Sequence, residues 1–465
     1  VRTDAFEAFA RKMADAGLLP LQIEAFRRAY GRLRQGERGL LRSHDLEPVE
    51  DLPRRADLPP PDQPARYLRK LAVLRLNGGL GTTMGLEGPK SLLPVKEGLT
   101  FLDLLVRQVL HLRRQSGCRV PLLLLNSFAT SGPTRQALAA YPDLQVPGLP
   151  LEVLQSRVPK VRRDDLSPAT WPADPELEWN PPGHGEVYLA LYLSGALQAL
   201  LSAGFRYLFL ANADNLGAVA DAAILAWMAD EGLPFVMEVT RRREADRKGG
   251  HLARRRRDGR LVLRETAQCP PEEWDDLADI QVHRYFNTNN LWLDLEALAA
   301  LLEGVQGLLE LDLIVNPKTL DPRDPTSPPV YQLESAMGSA ISHFEGARAL
   351  EVERSRFTPV KGTGDLLAVW SDAYELGPDG RLSLGAGRDE PPVVDLDPRY
   401  YKLLDQFQAR FPQGAPSLRE CRLLRVEGDV TFEAGVRVRG QAEVVARHPG
   451  ARLPAGTLVQ GRLEL

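Results

Sequence analysis

The chain has 465 residues, enough for about three units of roughly 150 residues and for a sizeable core without staples. Its 58 basic and 62 acidic side chains nearly cancel to a net charge of −4, which excludes a global field recruiting nucleic acid or anionic lipid, so any anionic ligand needs a local site. Cys118, Cys269 and Cys421 are far apart and never in a Cys-x-x-Cys pair, which argues against a disulfide framework or structural zinc and fits a reducing cytoplasm; neither a signal peptide nor a ~18-residue spanning segment is visible, so no membrane partner is expected.

From Asp4 to Arg34 apolar residues recur at helical spacing (Phe6, Phe9, Met13, Leu18, then Leu21, Ile23, Phe26, Tyr30), predicting two amphipathic helices that form an N-terminal cap. The proline-rich stretch Leu52 to Pro64 reads as a spacer, so residues 1–64 are taken as the helical segment and its linker. From Leu71 onward short apolar runs (LAVLRLN, VPLLLLN, YLFLAN, PFVMEV) alternate with helical patterns (FLDLLVRQVLHLRR, EVYLALYLSGALQALL). That alternation predicts an α/β fold with helices on both faces of the sheet, here assigned to residues 65–376. In such sheets ligands bind beyond the carboxyl ends of the strands, so the segments after LAVLRL and YLFLA are the first places to seek chemistry. Gly249 to Glu265 reads as a hairpin turning at Asp258-Gly259. Its four consecutive arginines are a solvated tip, since no aromatic residues interleave to stack bases. Residues 377–465 begin with a Pro- and Gly-rich segment, Gly377 to Pro398, that reads as a loop. Beyond it Val426, Phe432, Val438 and Val444 are spaced by six, as are Val430, Val436 and Ala442, and Leu453, Val459 and Leu465. This period predicts a left-handed parallel β-helix with corners at Gly428, Gly435 and Gly440, suited to packing or self-association.

Five segments carry chemistry. Leu76 to Ser91 (LNGGLGTTMGLEGPKS) follows a buried strand, and its glycines let backbone N–H groups turn toward phosphate oxygens. Only nine of the 58 basic residues are lysines, so Lys90 at the end of this loop is a chosen ammonium, placed to neutralise charge at a phosphorus. The spacing matches neither the Rossmann nor the Walker pattern. In ANADNLGA (211–218) Asp214 closes a buried strand, where it can hold Mg²⁺ against a triphosphate or cap the next helix, and Asn212 can meet a sugar or phosphate. Gly183, His184 and Gly185 form a flexible loop before a helix start, a place with free N–H donors. FNTNNLW (286–292) puts three asparagines in a strand-like run, suited to a hydroxyl-rich ligand or to a turn. RFTPVKGTGDLL (356–367) places Lys361 among glycines as a second positive charge.

Together with GLTFLDLLVRQVLHL, NSF, FVMEVT, ADRKGG, IVNPKTLD, QLESAMGSAI and SRFTPVK, these motifs resemble the eukaryotic-type UTP–glucose-1-phosphate uridylyltransferase family, from about Leu71 to the end. The resemblance implies a Rossmann-like, GT-A-like nucleotidyltransferase core of mixed sheet and a reaction in which glucose 1-phosphate attacks the α-phosphorus of UTP, with Mg²⁺ as cofactor. It implies that Leu76, Asn77, Gly78 and Gly79 bind UTP, that Gln155 reads the uracil edge with Gly183 beside the base, and that Asn212 and Asp214 contact nucleotide and metal. His184 and Asn289 are implied as glucose-1-phosphate contacts, and Lys90 and Lys361 as the catalytic phosphate-binding lysines. Thr83-Met84 stands where the N-acetylhexosamine branch tends to place Arg, which favours the glucose enzyme over that branch, with a galactose-tolerant UDP-sugar pyrophosphorylase as the alternative. Gly362-Thr363-Gly364 departs from the family pattern after the second lysine, and self-association through the C-terminal unit is the expected mode of any homo-oligomer.

Overall fold

The computed structural model describes residues 6–465. Its centre is a mixed sheet in which Leu71–Asn77 lies between two parallel neighbours, Tyr207–Asn212 and Leu122–Asn126, the latter followed by Glu152–Leu154. On the far side of Tyr207–Asn212 the direction reverses. Tyr285–Asp294 runs antiparallel to it and to Phe235–Arg241, and Arg348–Glu351 completes that side in parallel. Alternate residues of the Leu71 strand feed opposite cores. Ala72 and Leu74 join Leu191, Leu200 and Leu298, while Leu71 and Val73 join Leu102, Val106 and Ile224. Both faces are covered, which is why this strand needs an unbroken apolar run rather than a polar alternation.

The register levels the strand ends. Asn77 lies opposite Asn126, Leu76 opposite Asn212, and Asn126 opposite Leu154. Whatever follows these strands therefore meets along one edge: the glycine loop, Ser127, Gln155 and the turn carrying Asp214.

The predicted N-terminal helices are Glu7–Asp15 and Pro20–Arg34, and their aromatic face packs on Val158, Val161, Leu313 and Val315. The stretch expected as a spacer is stitched to the sheet. Leu46–Pro48 just before it pairs with His251–Arg255, and within it Arg55 Nε sits 2.6 Å from Asp221. The single helix expected after Glu186 is two, Val187–Leu193 and Ala196–Ser202, because Gly195 adopts φ +71° and ends the first. The arginine hairpin forms as expected from His251–Arg255 and Leu261–Arg264.

In the C-terminal unit Val426, Val430, Phe432, Val436, Val438, Val444, Leu453 and Val459 are all buried, as the six-residue register predicts. Strands Val393–Leu396, Ser417–Glu427, Arg437–Val445 and Leu458–Glu464 stack in parallel, with Val426 beside Val444 and Val444 beside Leu463. The segment expected as a loop supplies the first of these strands and Leu382–Leu384. The core of this unit is continuous through helix Thr363–Trp370 with Met84, Leu93 and Val95. It supports the glycine loop from below.

Candidate active site

Lys90 ends the glycine loop, and its backbone N–H donates to Gly79 O across 3.1 Å, which folds the loop back on itself. Its Nζ reaches Asp214 Oδ2 at 2.6 Å, a pair whose side chains remain 16% and 25% exposed. One contact thus joins the two strongest sequence signals. Leu76 and Asn212 are register partners, and Ala213 N donates to Leu76 O at 3.0 Å, so the Asp214 turn is tied by backbone to the start of the loop. The Asn77 side chain is committed inward, donating to Asn126 Oδ1 at 2.8 Å and Thr134 Oγ1 at 3.1 Å, which leaves backbone as what this residue offers a ligand. Lys361 is exposed. Its segment runs beside the Asp214 turn, with Val360 N donating to Asp214 O and Asn215 bridged to Pro359, while Asp365 accepts the Lys361 and Gly362 N–H groups at 2.7 and 3.1 Å.

On the other side of the loop Gln155 donates from Nε2 to Gly183 O at 2.7 Å, which fixes the direction of its amide. A Cβ at Gly78 would lie 2.9 Å from Gln155 Oε1, so any side chain here would push against that amide. Gly183 has φ +82°, and a Cβ would sit 2.3 Å from Ser335 O, so neither conformation nor space admits a side chain. His184 follows. Its Nδ1 accepts the Met337 N–H at 3.0 Å, and burial pushes its pKa down to about 4, so the ring is neutral and carries its proton on Nε2. Asn287 and Asn289 exchange two bonds, Nδ2 to Oδ1 at 2.8 Å and N to Oδ1 at 2.9 Å, with Asn289 held at φ +58°. Gly338 lies against Asn287, so the Met337-Gly338 segment touches both His184 and the Asn287–Asn289 turn.

Sequence reasoning missed the groups that hold this arrangement. Buried Glu238 accepts from Arg356 Nε at 2.7 Å, Trp292 Nε1 at 2.8 Å and Asn290 Nδ2 at 2.9 Å, so its charge is paired and its lone pairs are filled. Asn215 links the Asp214 turn to this network through Asn290 Oδ1 at 3.1 Å and holds Thr358 N at 2.8 Å, which aims the segment bearing Lys361. Glu186 accepts both the N–H and the hydroxyl of Ser156, the residue after Gln155. Burial pushes its carboxyl up to about 7, against the pull of those two bonds. An acid inside the apolar run FVMEV was the one visible sign of the Glu238 network.

Among the described residues no group of three or more His, Cys, Asp or Glu side chains gathers as a metal cage. A partly exposed Asp214 offering one carboxylate fits Mg²⁺, which binds through one or two carboxylates and takes its other oxygens from phosphates and water.

A mixed sheet with a glycine loop and the Lys90–Asp214 pair at its strand ends defines an α/β protein of the nucleotide-binding class. A family profile described as UTP–glucose-1-phosphate uridylyltransferase matches residues 23–439. Proteins of that name from Hordeum vulgare and Saccharomyces cerevisiae are 42% and 41% identical over 412 and 427 residues, covering 87% and 88% of this chain and 84% of each relative. A crystal structure of UDP-glucose phosphorylase from Trypanosoma brucei superposes with a TM-score of 0.93 at 45% identity over the full length of both chains. A Leishmania major UDP-glucose pyrophosphorylase variant in complex with UDP-glucose gives 0.92 at 42% identity, again over both full chains. The chain belongs to the UTP–glucose-1-phosphate uridylyltransferase family, as its motifs predict.

Proposed function

We propose that this protein transfers the uridylyl group of UTP to glucose 1-phosphate, giving UDP-glucose and pyrophosphate. The observation that carries the reading is the Lys90–Asp214 contact, an ammonium and a carboxylate side by side at the strand ends of a chain 42% identical to enzymes of that name. A phosphate oxygen of glucose 1-phosphate forms a bond to the α-phosphorus while the bond to the bridging α–β oxygen breaks, and pyrophosphate leaves with that electron pair. The nucleophile is already an anion, so no general base is required and no covalent enzyme intermediate forms. Catalysis reduces to alignment and charge neutralisation.

In this reading Gly78, Gly79 and the backbone of Leu76 and Asn77 cradle UTP. Gln155 offers its free amide positions to the uracil edge beside Gly183, and Asn212 faces the nucleotide. His184 donates its Nε2–H to the phosphate of glucose 1-phosphate, and Asn289 meets a sugar hydroxyl. Lys90 exchanges Asp214 for the UTP phosphates when the nucleotide enters, and Lys361 adds its charge from the opposite wall. Asp214, with the nucleotide's own oxygens, would hold Mg²⁺, whose chemistry there is neutralisation of phosphate charge. The GT-A-like character of the core, a left-handed β-helical turn for the C-terminal stack, self-association through that stack and a cytoplasmic location complete the proposal. No helix is long and apolar enough to cross a membrane among the described residues.

The test is pyrophosphate release from UTP and Mg²⁺ with glucose 1-phosphate, galactose 1-phosphate or N-acetylglucosamine 1-phosphate in parallel. Strong preference for glucose 1-phosphate is expected. Comparable rates with several sugars would replace the reading by a broad UDP-sugar enzyme, and silence with all three would overturn it.

A further inference from the structure

Asn215 is 1% exposed, and its amide is used in full. Nδ2 donates to Asn290 Oδ1 and to Arg356 O, each at 3.1 Å, while Oδ1 accepts from Thr358 N at 2.8 Å and from Gly217 N at 3.3 Å. Two donors and two acceptor lone pairs are the whole capacity of an amide. A carboxylate here would set an oxygen against Asn290 Oδ1 and Arg356 O, and an apolar side chain would strip these groups of a partner in a place that water does not reach. The partners come from separate parts of the site. Asn290 follows Asn289, 75 positions from Asn215, and Thr358, 143 positions away, stands shortly before Lys361. The two loops also meet backbone to backbone, since a Cβ on Gly217 would lie 2.2 Å from Ser355 O.

The Lys361 segment is pinned at both ends. After the lysine, Asp365 accepts the Lys361 and Gly362 N–H groups, and Asp365 stands in helix Thr363–Trp370, whose apolar face belongs to the core of the C-terminal unit. Before the lysine, Asn215 takes the Thr358 N–H from the turn that bears Asp214, and the bond from Val360 N to Asp214 O, at 3.3 Å, runs beside it. The first hold places Lys361 relative to the C-terminal unit, and the second places it relative to the central sheet, where Lys90 and Asp214 meet. An exposed ammonium on a long flexible stem is placed by its backbone more than by packing. The Asp214 turn has other holds, Ala213 N on Leu76 O and Lys90 Nζ on the carboxylate itself, so loss of the Asn215 amide frees the lysine segment before it frees the carboxylate.

We propose that Asn215 is a positioning residue for uridylyl transfer: its amide sets the separation between Lys361 and the Lys90–Asp214 pair, and it acts on the reaction through Lys361. The proposal rests on the reading of Lys361 as a phosphate-binding cation.

Turnover at saturating UTP and glucose 1-phosphate, measured for wild type, Asn215→Ala, Lys361→Ala and the double variant, tests it, with a thermal melt of each preparation. Asn215→Ala is expected to lower kcat roughly ten- to a hundredfold, the scale of misplacing a catalytic group by about an ångström. Lys361→Ala is expected to lower it at least as far. On the Lys361→Ala background the further loss from Asn215→Ala is expected to fall below about threefold, because the group it positions is gone. A merely structural amide would cost the same factor in both backgrounds, and that additivity would overturn the proposal, as would wild-type kcat in Asn215→Ala. Wild-type turnover in Lys361→Ala would overturn the reading of Lys361, and the proposal with it. If Asn215→Ala does not fold, Asn215→Ser, which keeps one polar atom at this position, runs through the same cycle under the same criterion.

Discussion

Replacing Lys90 by alanine separates the chemical role of this lysine from its place in the resting structure. The Lys90–Asp214 contact at 2.6 Å corresponds to a gross Coulomb attraction of about 6 kcal/mol at an effective dielectric of about 20. Desolvation and side-chain ordering cancel most of it, and for a pair still 16% and 25% exposed the net contribution to folding is roughly 1 kcal/mol. Spread over a chain of 465 residues, that lowers the melting temperature by no more than about 2 °C. During phosphoryl transfer the same ammonium faces charge building on the UTP phosphates, and loss of such a contact costs about 3 to 4 kcal/mol, or 10² to 10³ in turnover. The assay is pyrophosphate release at saturating UTP and glucose 1-phosphate beside a thermal melt of the same preparation. Turnover within about threefold of wild type would refute the reasoning, and so would a fall in turnover matched by an equal loss of folded protein.

Gly183→Ala combines an unfavourable φ with a Cβ 2.3 Å from Ser335 O. It is expected to destabilise by roughly 1 to 3 kcal/mol and to raise the KM for UTP more than it lowers kcat, read from melts and steady-state kinetics. Glu186, with its carboxyl raised to about 7 from an unfolded value near 4.5, contributes most to stability below that lower value and loses the contribution as pH rises toward 7. Wild type is expected to lose roughly 3 kcal/mol relative to Glu186→Gln between pH 4.5 and 8, and parallel stability curves for the two would refute it. The His251 and His283 rings stack at 3.8 Å, and burial together with Arg242 and Arg264 holds both pKa values below the ordinary range, against the pull of Asp276 on His283. Their contribution is full above about pH 6.5 and is lost on acidification, so His251→Phe is expected to shift the acid-unfolding midpoint downward, followed by tryptophan fluorescence. Removing divalent metal is expected to abolish turnover and Mg²⁺ to restore it, with Asp214→Asn needing more Mg²⁺ than wild type for half-maximal rate; equal Mg²⁺ requirements would remove Asp214 from metal binding.

The amino-acid sequence by itself determined the alternation of apolar strands and helices, the glycine loop, the lysines at 90 and 361 and the six-residue register at the C-terminus. Each of these is a local matter. A strand covered on both faces needs a continuous apolar run, a loop wrapped around phosphate needs glycine, and a stacked coil repeats its inward positions at a fixed period. The helix break at Gly195 and the stitching of residues 46–57 to the sheet were not legible, because propensity does not say which exposed edge or turn a segment meets. Tertiary structure alone decided the pairings that make the site work. Lys90 meets Asp214 across 124 positions, Arg356 meets Glu238 across 118, and Ser156 meets Glu186 across 30. It also decided that Asn77 spends its side chain inward on Asn126 while Gln155 spends its Nε2 on Gly183 O. The physical reason is that a polar side chain shows its chemistry in sequence, whereas its partner is chosen by the register and packing that bring distant strand ends to one edge.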